Sequence, residues 1–441
     1  MLLVDQIRQA GVIGAGGAGF PTHAKVSGTA EYLLMNAAEC EPLLRVDQQL
    51  LVLYTDEILQ GFAAVARVVG ATKAIIGIKK KHSDVIRILR ERIAALGLAI
   101  ELCEMADFYP AGDEQVLVYE ATGRIVPEGG IPIQVGCVVV NVETTLNIYG
   151  AMHGQAVTDS YLTVTGDVPH PVTLRVPIGT PMKEVAALAG VTNLSGYAVI
   201  DGGPMMGRVI EDESITVRKN TKGYIILPAD HPLIQKKTAT NMATLREGRS
   251  GCEQCRMCTD LCPRHLLGHN LNPHKLVRAV KYNLATLEEL TQATLCSQCG
   301  VCTLFACPAN LKPHQINFIL KQQLGAHKLR YTPTISTYHA DPARSYRKVP
   351  VKRLIHRLGL YEFDQAAPFT DVAITPQEVR ISLRQHVGAP AIATVSVGDE
   401  VARGQLIGDI PEKALGAAVH ASIDGRVTAI TADEITIRRE G

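Results

Sequence analysis

Eight of the chain's 11 cysteines lie between positions 252 and 307, and their spacing constrains the fold more than any other feature. The first run, CEQCRMCTDLCP, sets Cys252, Cys255, Cys258 and Cys262 ahead of Pro263. The second, CSQCGVCTLFACP, sets Cys296, Cys299, Cys302 and Cys307 ahead of Pro308, with one more residue before its last cysteine. Two-residue gaps let three thiolates wrap three corners of a [4Fe–4S] cubane, and the fourth ligand must come from farther along the chain. Zinc sites use paired C-x2-C units, not triplets followed by a fourth cysteine and a proline. A cysteine cluster in a chain without a secretory signal reads as metal binding, not as disulfides. Cys40, Cys103 and Cys137 stand in apolar strand contexts and read as small buried hydrophobes.

In two-cluster ferredoxins the fourth cysteine of each run serves the other cluster. On that pattern Cys252, Cys255, Cys258 and Cys307 hold one [4Fe–4S] cluster, and Cys296, Cys299, Cys302 and Cys262 hold the second. Two neighbouring clusters form a one-electron wire, which needs an input and an output.

The rest of the chain divides by texture. Up to about residue 157, apolar runs such as EYLLMNA, TKAIIGIK and GCVVVNVET alternate with helical periodicity. In SDVIRILRERIAALG, Ser83 is a candidate N-cap and Gly97 a stop, so this part predicts α/β layering. Residues 158–234 hold short strands broken by Gly and Pro around one helix, MKEVAALAG. Residues 235–325 carry the cysteines, with a helical stretch predicted over 275–293. A polar linker is expected over 326–369. A β-rich segment, 370–441, shows two similar halves, each with a Gly-Asp or Asp-Gly turn.

The candidate input is GVIGAGGAGFPTHAK. Gly14, Gly16 and Gly19 spell G-x-G-x-x-G, the dinucleotide fingerprint. A Rossmann loop follows a solid buried strand. Here LVDQIRQAG reads as helix and leaves only Val12 and Ile13 for a strand, which argues against that fold. Closely spaced glycines still let backbone N–H groups approach a phosphate.

Four blocks, in order, carry a resemblance: GAGGAGFPTHAK, NAAECEP (Asn36–Pro42), YPAGDE (Tyr109–Glu114) and VNVET (Val140–Thr144). They resemble the flavoprotein subunit of respiratory complex I and the C subunits of Rnf electron-transport complexes. The resemblance implies FMN contacts from Gly14, Gly16, Gly17, Gly19, Lys25, Asn36, Tyr109, Gly112 and Asn141. It implies Phe20 stacked on the nicotinamide of NADH, with Glu39, Glu41 and Glu114 as carboxylates near the nucleotide. Ala15, Ala38 and Asp113 depart from the complex I pattern of Arg, Asp and Glu. The following segment resembles a soluble-ligand-binding β-grasp domain, and the C-terminal one a barrel-sandwich hybrid domain. Lys413 lies between its halves without the sequence that flanks a lipoyl lysine.

The implied architecture is multidomain α/β: an FMN/NADH domain (1–157), a β-grasp domain (158–234), a two-cluster ferredoxin-like helical domain (235–325), a linker and the hybrid domain (370–441). Rnf C subunits carry the hybrid domain first, and here it comes last. That order resembles the family of cobalamin reductases of propanediol-utilisation bacterial microcompartments. The family implies NADH as donor, cobalamin as acceptor, a cob(I)alamin adenosyltransferase and a shell protein as partners, and a cytoplasmic place inside the microcompartment. No protein side chain is expected to be catalytic, because the redox chemistry belongs to the cofactors. An Rnf-like input subunit feeding ferredoxin or a membrane partner is an alternative, and so is a non-enzymatic conducting scaffold. A net charge of +1 and the lack of a basic stripe argue against nucleic acid. No apolar run reaches the ~18–20 residues that span a bilayer, so no membrane segment is expected.

Overall fold

The computed structural model of the chain describes residues 1–282 and 286–440. Its first strands are β1 (Tyr32–Ala37), β2 (Lys73–Lys79), β3 (Ile100–Met105), β4 (Phe108–Tyr109) and β5 (Cys137–Asn141). Four of them form a parallel sheet in the order β3-β2-β1-β5. Both faces are covered, so its central strand is apolar on both sides. Leu33 and Met35 pack with Phe62 and Ile148 on one face, and Leu34 packs with Leu117 and Val139 on the other. The chain steps outward from β1 to β3 and then returns to the far side of β1 as β5. The crevice of such a sheet opens at that reversal, beyond the carboxyl ends of β1 and β5.

No strand precedes the glycine loop. Leu3–Gln9 is a helix, and Ile13 makes only an isolated bridge to Pro21. VNVET is not a strand throughout. Asn141 is extended (φ −100°, ψ 163°), and the helix Val142–Met152 starts directly after it. Ser83 opens the helix Ser83–Ala95 instead of capping it, and Gly97 at φ 61° follows its end.

The second unit comprises β6 (Asp159–Gly166), β7 (Val172–Pro177), β8 (Tyr197–Asp201), β9 (Arg208–Val209) and β10 (Gly223–Pro228). They are ordered β7-β6-β10-β8-β9, with β6 and β10 parallel in the middle. The helix Met182–Leu188 lays Met182, Val185 and Ala186 on this sheet. Around the cysteine runs stand the helices Asn241–Gly251, Pro273–Tyr282 and Pro313–Ala326. The helix predicted over 275–293 is two, Pro273–Tyr282 and Leu287–Thr291, and residues 283–285 of that stretch lie outside the described residues.

The linker expected over 326–369 is corrected in its second half. There β11 (Val349–Pro350) pairs antiparallel with β4, and the helix Val351–Arg357 follows. Val351, Leu354, Ile355 and Leu358 recur at helical spacing and bury against Tyr109, Met205 and Leu304. The polar residues around that short stripe hide it from a reading by composition.

The last segment holds β12 (Glu378–Ser382), β13 (Ile392–Ala393), β14 (Glu400–Val401), β15 (Leu406–Asp409), β16 (Val419–His420), β17 (Gly425–Ile430) and β18 (Glu434–Arg438). They form two sheets, β12-β18-β17-β14 and β13-β15-β16. Their core, with Ile381, Val427 and Ile437, is continuous with the core of the first unit. Lys413 projects from a turn at φ 59°, and its side chain is 89% exposed. No helix among the described residues is long and apolar enough to cross a membrane.

The helices Thr55–Val68 and Val142–Met152 meet where Gly61 lies on the backbone of Thr145. A Cβ on Gly61 would stand 2.6 Å from the Thr145 carbonyl oxygen. Overpacking of this kind costs about 1–3 kcal/mol, more than the ~1 kcal/mol of helix propensity that alanine gains over glycine. Gly61→Ala is therefore expected to lower the thermal midpoint. A midpoint equal to or above that of the wild type would show that the two helices are not in contact there.

Candidate functional site

The glycine loop lies at the crevice beside β5. Ala15 N–H donates to Thr144 Oγ1 (2.9 Å), and Gly14 N–H to the Phe20 carbonyl (2.9 Å). A Cβ on Gly16 would stand 2.4 Å from Asn141 Nδ2, so a larger residue would push that side chain aside. A Cβ on Gly17 would meet nothing within 4 Å. Residues 15–18 form a turn, and among the described residues the N–H groups of Gly16, Gly17 and Ala18 make no well-aligned hydrogen bond. Consecutive unpaired N–H groups facing open space form an anion-binding concavity. The residues present therefore fit the phosphate of FMN.

The structure gathers several of the expected residues around this crevice. Asn36, in β1, donates from Nδ2 to the Gly112 carbonyl (2.8 Å). Lys25 Nζ donates to Glu114 Oε1 and to the Val139 carbonyl, both at 2.9 Å. Phe20 is 38% exposed at the end of the loop, open to a stacking partner.

Two of the expected carboxylates point elsewhere. Glu39 accepts from Val46 N–H, Asp47 N–H and Gln48 Nε2, and so ties off the start of the helix Val46–Leu53. Burial, and then the Asp47 carboxylate, push its pKa up to about 8. Glu41 accepts from the N–H groups of Met205 (2.9 Å) and Met206 (3.0 Å). Burial raises its pKa as well, and Lys237 beside it donates to the Gly207 carbonyl at 2.7 Å. The turn DGGPMMG is thus held on the first unit through Glu41.

The cysteines gather in two sets. Cys252, Cys255, Cys258 and Cys307 line one cavity of about 50 Å³, with Pro308 and Leu311. Cys262 feels Cys296, Cys299 feels Cys262 and Cys296, and Cys302 feels Cys296, Cys299, Cys258 and Cys262. Both runs bend alike. Gln254 (φ 55°) and Arg256 (φ 65°) flank Cys255 as Gln298 (φ 62°) and Gly300 (φ 77°) flank Cys299. Left-handed positions on both sides of the middle cysteine turn successive N–H groups inward. Leu311 N–H donates to Cys307 Sγ (3.3 Å) and Asn317 Nδ2 to Cys296 Sγ (3.7 Å), contacts of the kind that tune a cluster's potential.

Among the described residues, no three Cys, His, Asp or Glu side chains converge closely enough to hold one metal ion. A zinc site needs four ligands within about 2.3 Å of a single ion. A cubane spreads its four thiolates over four irons, so a wider gathering suits it. Burial pushes the Cys258 and Cys262 thiols up to about 12, and the Cys302 thiol well above its ordinary value. Such thiols do not ionise alone near neutrality, whereas a bound metal deprotonates its thiols. The donor set fits iron–sulfur clusters.

The two sets differ in setting. Cys255 is the exposed cysteine of the first set, whereas Cys262, Cys296, Cys299 and Cys302 are all buried. The buried set adjoins the flavin unit. Tyr109, 2% exposed, donates its O–H to the Cys299 carbonyl at 2.7 Å. Asp113 caps the helix Glu114–Thr122 and also pairs with Arg264 at 2.6 Å, two residues past Cys262. Arg264 carried no motif in the sequence. Lys222 is a second unforeseen residue. It pairs with Glu143, which is 0% exposed, and its Nζ lies 3.7 Å from Asp47.

Comparison with known proteins agrees with this geometry. Three domain profiles match in chain order: the Nuo51 FMN-binding domain over residues 7–150, a 4Fe-4S dicluster domain over 251–312, and the RnfC barrel sandwich hybrid domain over 363–440. Cobalamin reductase PduS of Citrobacter freundii is 46% identical over 437 residues, which cover 99% of this chain and 96% of the relative. The chain belongs to the PduS cobalamin reductase family. It is an oxidoreductase of multidomain α/β architecture with FMN-binding and iron–sulfur domains. In Acetobacterium woodii, the C component of the Na(+)-translocating ferredoxin:NAD(+) oxidoreductase complex is 34% identical over 273 residues, 60% of this chain and 58% of that one. An NAD+-reducing [NiFe]-hydrogenase shares the fold at TM-score 0.50 and 23% identity, with 76% of this chain and 64% of the hydrogenase chain covered.

The repeated left-handed positions give a paired prediction. At φ 65° Arg256 bears a strain of about 1–2 kcal/mol that glycine does not. Part of the relief is offset by the freedom glycine adds to the unfolded chain. Arg256→Gly should raise the anaerobic thermal midpoint of the cluster-loaded protein slightly. Gly300→Ala should lower it and reduce bound iron, since its Cβ would also crowd the Met205 carbonyl at 3.2 Å. Equal midpoints for both variants and the wild type would contradict the matched geometry.

Proposed function

We propose that this protein is an NADH-dependent reductase with one FMN and two [4Fe–4S] clusters, and that it delivers single electrons to cobalamin. Bound FMN would take a hydride's two electrons and the clusters would carry them one at a time, taking Co(III) through Co(II) to Co(I). The observation that carries this reading is the Tyr109–Cys299 hydrogen bond, which joins the flavin unit directly to the buried cysteine set. Gly16, Gly17, Ala18 and Gly19 would hold the phosphate, and Asn36, Gly112 and Asn141 would border the ring. Lys25 would serve through its pairing with Glu114, and Phe20 would stack on the visiting nicotinamide. Cys252, Cys255, Cys258 and Cys307 would hold one cluster, and Cys262, Cys296, Cys299 and Cys302 the other. The exposure of Cys255 supports an exit on that side.

The units 1–157, 158–234, 235–325 and 370–441 serve this reading as flavin, β-grasp, cluster and hybrid domains. Kinship with cobalamin reductase PduS supports cobalamin as the acceptor. Handover to an adenosyltransferase, and a place beside a shell protein inside a cytoplasmic bacterial microcompartment, belong to the same proposal.

Anaerobic reconstitution followed by NADH titration tests the reading. Flavin bleaching, cluster bleaching and growth of the cob(I)alamin spectrum are expected in one sample. Consumption of NADH with both clusters still oxidised would sink the wire. Reduction of ferredoxin in place of cobalamin would favour the Rnf-like alternative. A Cys299→Ser variant is expected to keep NADH-driven flavin bleaching, to lose about half its iron and acid-labile sulfide, and to stop reducing cobalamin.

A further inference from the structure

The glycine loop is gripped from behind by two other units. Three of its carbonyls are tied off on one side. Lys219 Nζ donates to the Gly11 carbonyl (2.7 Å), Asn220 Nδ2 to that of Gly17 (3.2 Å), and Val387 N–H to that of Gly19 (3.1 Å). Lys219 is 2% exposed and also donates to the Ala418 carbonyl (2.7 Å). Its backbone N–H donates to Gln385 Oε1 (2.9 Å). A Cβ on Gly19, at φ 72°, would stand 3.0 Å from the Gln385 carbonyl oxygen. The second unit and the C-terminal unit thus meet on this loop.

These bonds bear on the opposite edge of the loop. In a planar trans peptide the carbonyl of one residue and the N–H of the next point in opposite directions. Tying the Gly17 carbonyl to Asn220 therefore turns the Ala18 N–H away from Asn220, to the opposite edge of the loop. A loop this rich in glycine loses more backbone entropy on ordering than any other composition. Ordering it in advance removes that cost from ligand binding. Among the described residues Lys219 has no carboxylate partner, and burial lowers its pKa to about 7, so near neutrality it can serve as an uncharged donor to two carbonyls.

We propose that Lys219, Asn220 and the segment 385–387 form a clasp that holds the glycine loop with its N–H groups toward the flavin phosphate, and so sets the preference for FMN over riboflavin. This rests on the FMN reading above and assigns the C-terminal hybrid domain a positioning role at the flavin.

The test compares affinity for the two flavins, which differ by the phosphate. The full-length protein is freed of flavin with its clusters intact, and FMN and riboflavin are titrated by quenching of flavin fluorescence. Asn220→Ala is expected to weaken FMN binding by about tenfold and to leave riboflavin binding unchanged, with the cluster spectrum and thermal midpoint of the wild type. Lys219→Met should show a larger loss of the same selectivity. If Lys219→Met does not fold, Asn220→Ala and Gln385→Ala carry the test. Equal weakening of both flavins would mean a merely structural contact and overturn the proposal, as would unchanged binding of both by Asn220→Ala. Failure of the wild type to bind either flavin would instead sink the FMN reading itself.

Discussion

A buried phenol holds the molecule's functional parts in register. Tyr109 comes from the flavin unit and donates to a cluster cysteine's carbonyl. It packs in one core with Leu43 of its own unit, Ile200 and Met205 of the second, Val301 and Leu304 of the cluster region, and Val349 and Leu354 of the supposed linker. Cofactors that exchange electrons must sit close together, and separate units stay close only if they share a core. A phenol suits the position, because its ring fills apolar space while its hydroxyl satisfies a carbonyl that burial would otherwise orphan.

Around that hub, polar contacts fix orientation. Glu41 reaches from the first unit to two N–H groups of the DGGPMMG turn, and Asp113 reaches to Arg264 beside Cys262. Both contacts are half-buried or buried, so water screens them little. Removing one partner would strand the other in a poorly solvated place, a larger penalty than the bond's own net worth. The hydrogen-bonding capacity of Glu41 is spent on a structural turn. Lys219 spends its donors in the same way behind the flavin loop, on the carbonyls of Gly11 and Ala418, where burial lowers its pKa.

Much of the site was legible in the residues. The two cysteine runs announced two four-thiol sets, and the structure brings Cys307 to Cys252, Cys255 and Cys258, far from its neighbours in sequence. The short apolar runs gave β1, β2 and β5 nearly residue by residue, because a strand covered on both faces has to be apolar for most of its length. The absence of a strand before Gly14 also came through. Less was legible where one residue type serves two ends. Glu39 and Glu41 looked like ligand carboxylates, since a charged loop reads the same whether it faces a nucleotide or a helix start. Val351, Leu354 and Ile355 passed as linker, because seven helical residues carry too few turns for periodicity to stand out.

The sequence alone determined the iron–sulfur reading and the parallel sheet, because both depend on local spacing, thiolates two residues apart and unbroken apolar strands, whereas the flavin came from the resemblance carried by four ordered blocks. Only the tertiary structure decided which cysteine set adjoins the flavin unit and which faces solvent. It alone showed that the second unit and the C-terminal unit close over the glycine loop. Those outcomes rest on contacts between residues 100 to 400 positions apart, such as Tyr109 with Cys299 and Gly19 with Val387. Such pairs leave no periodic trace, because each partner is shaped by burial in a surface that exists only once the units have packed.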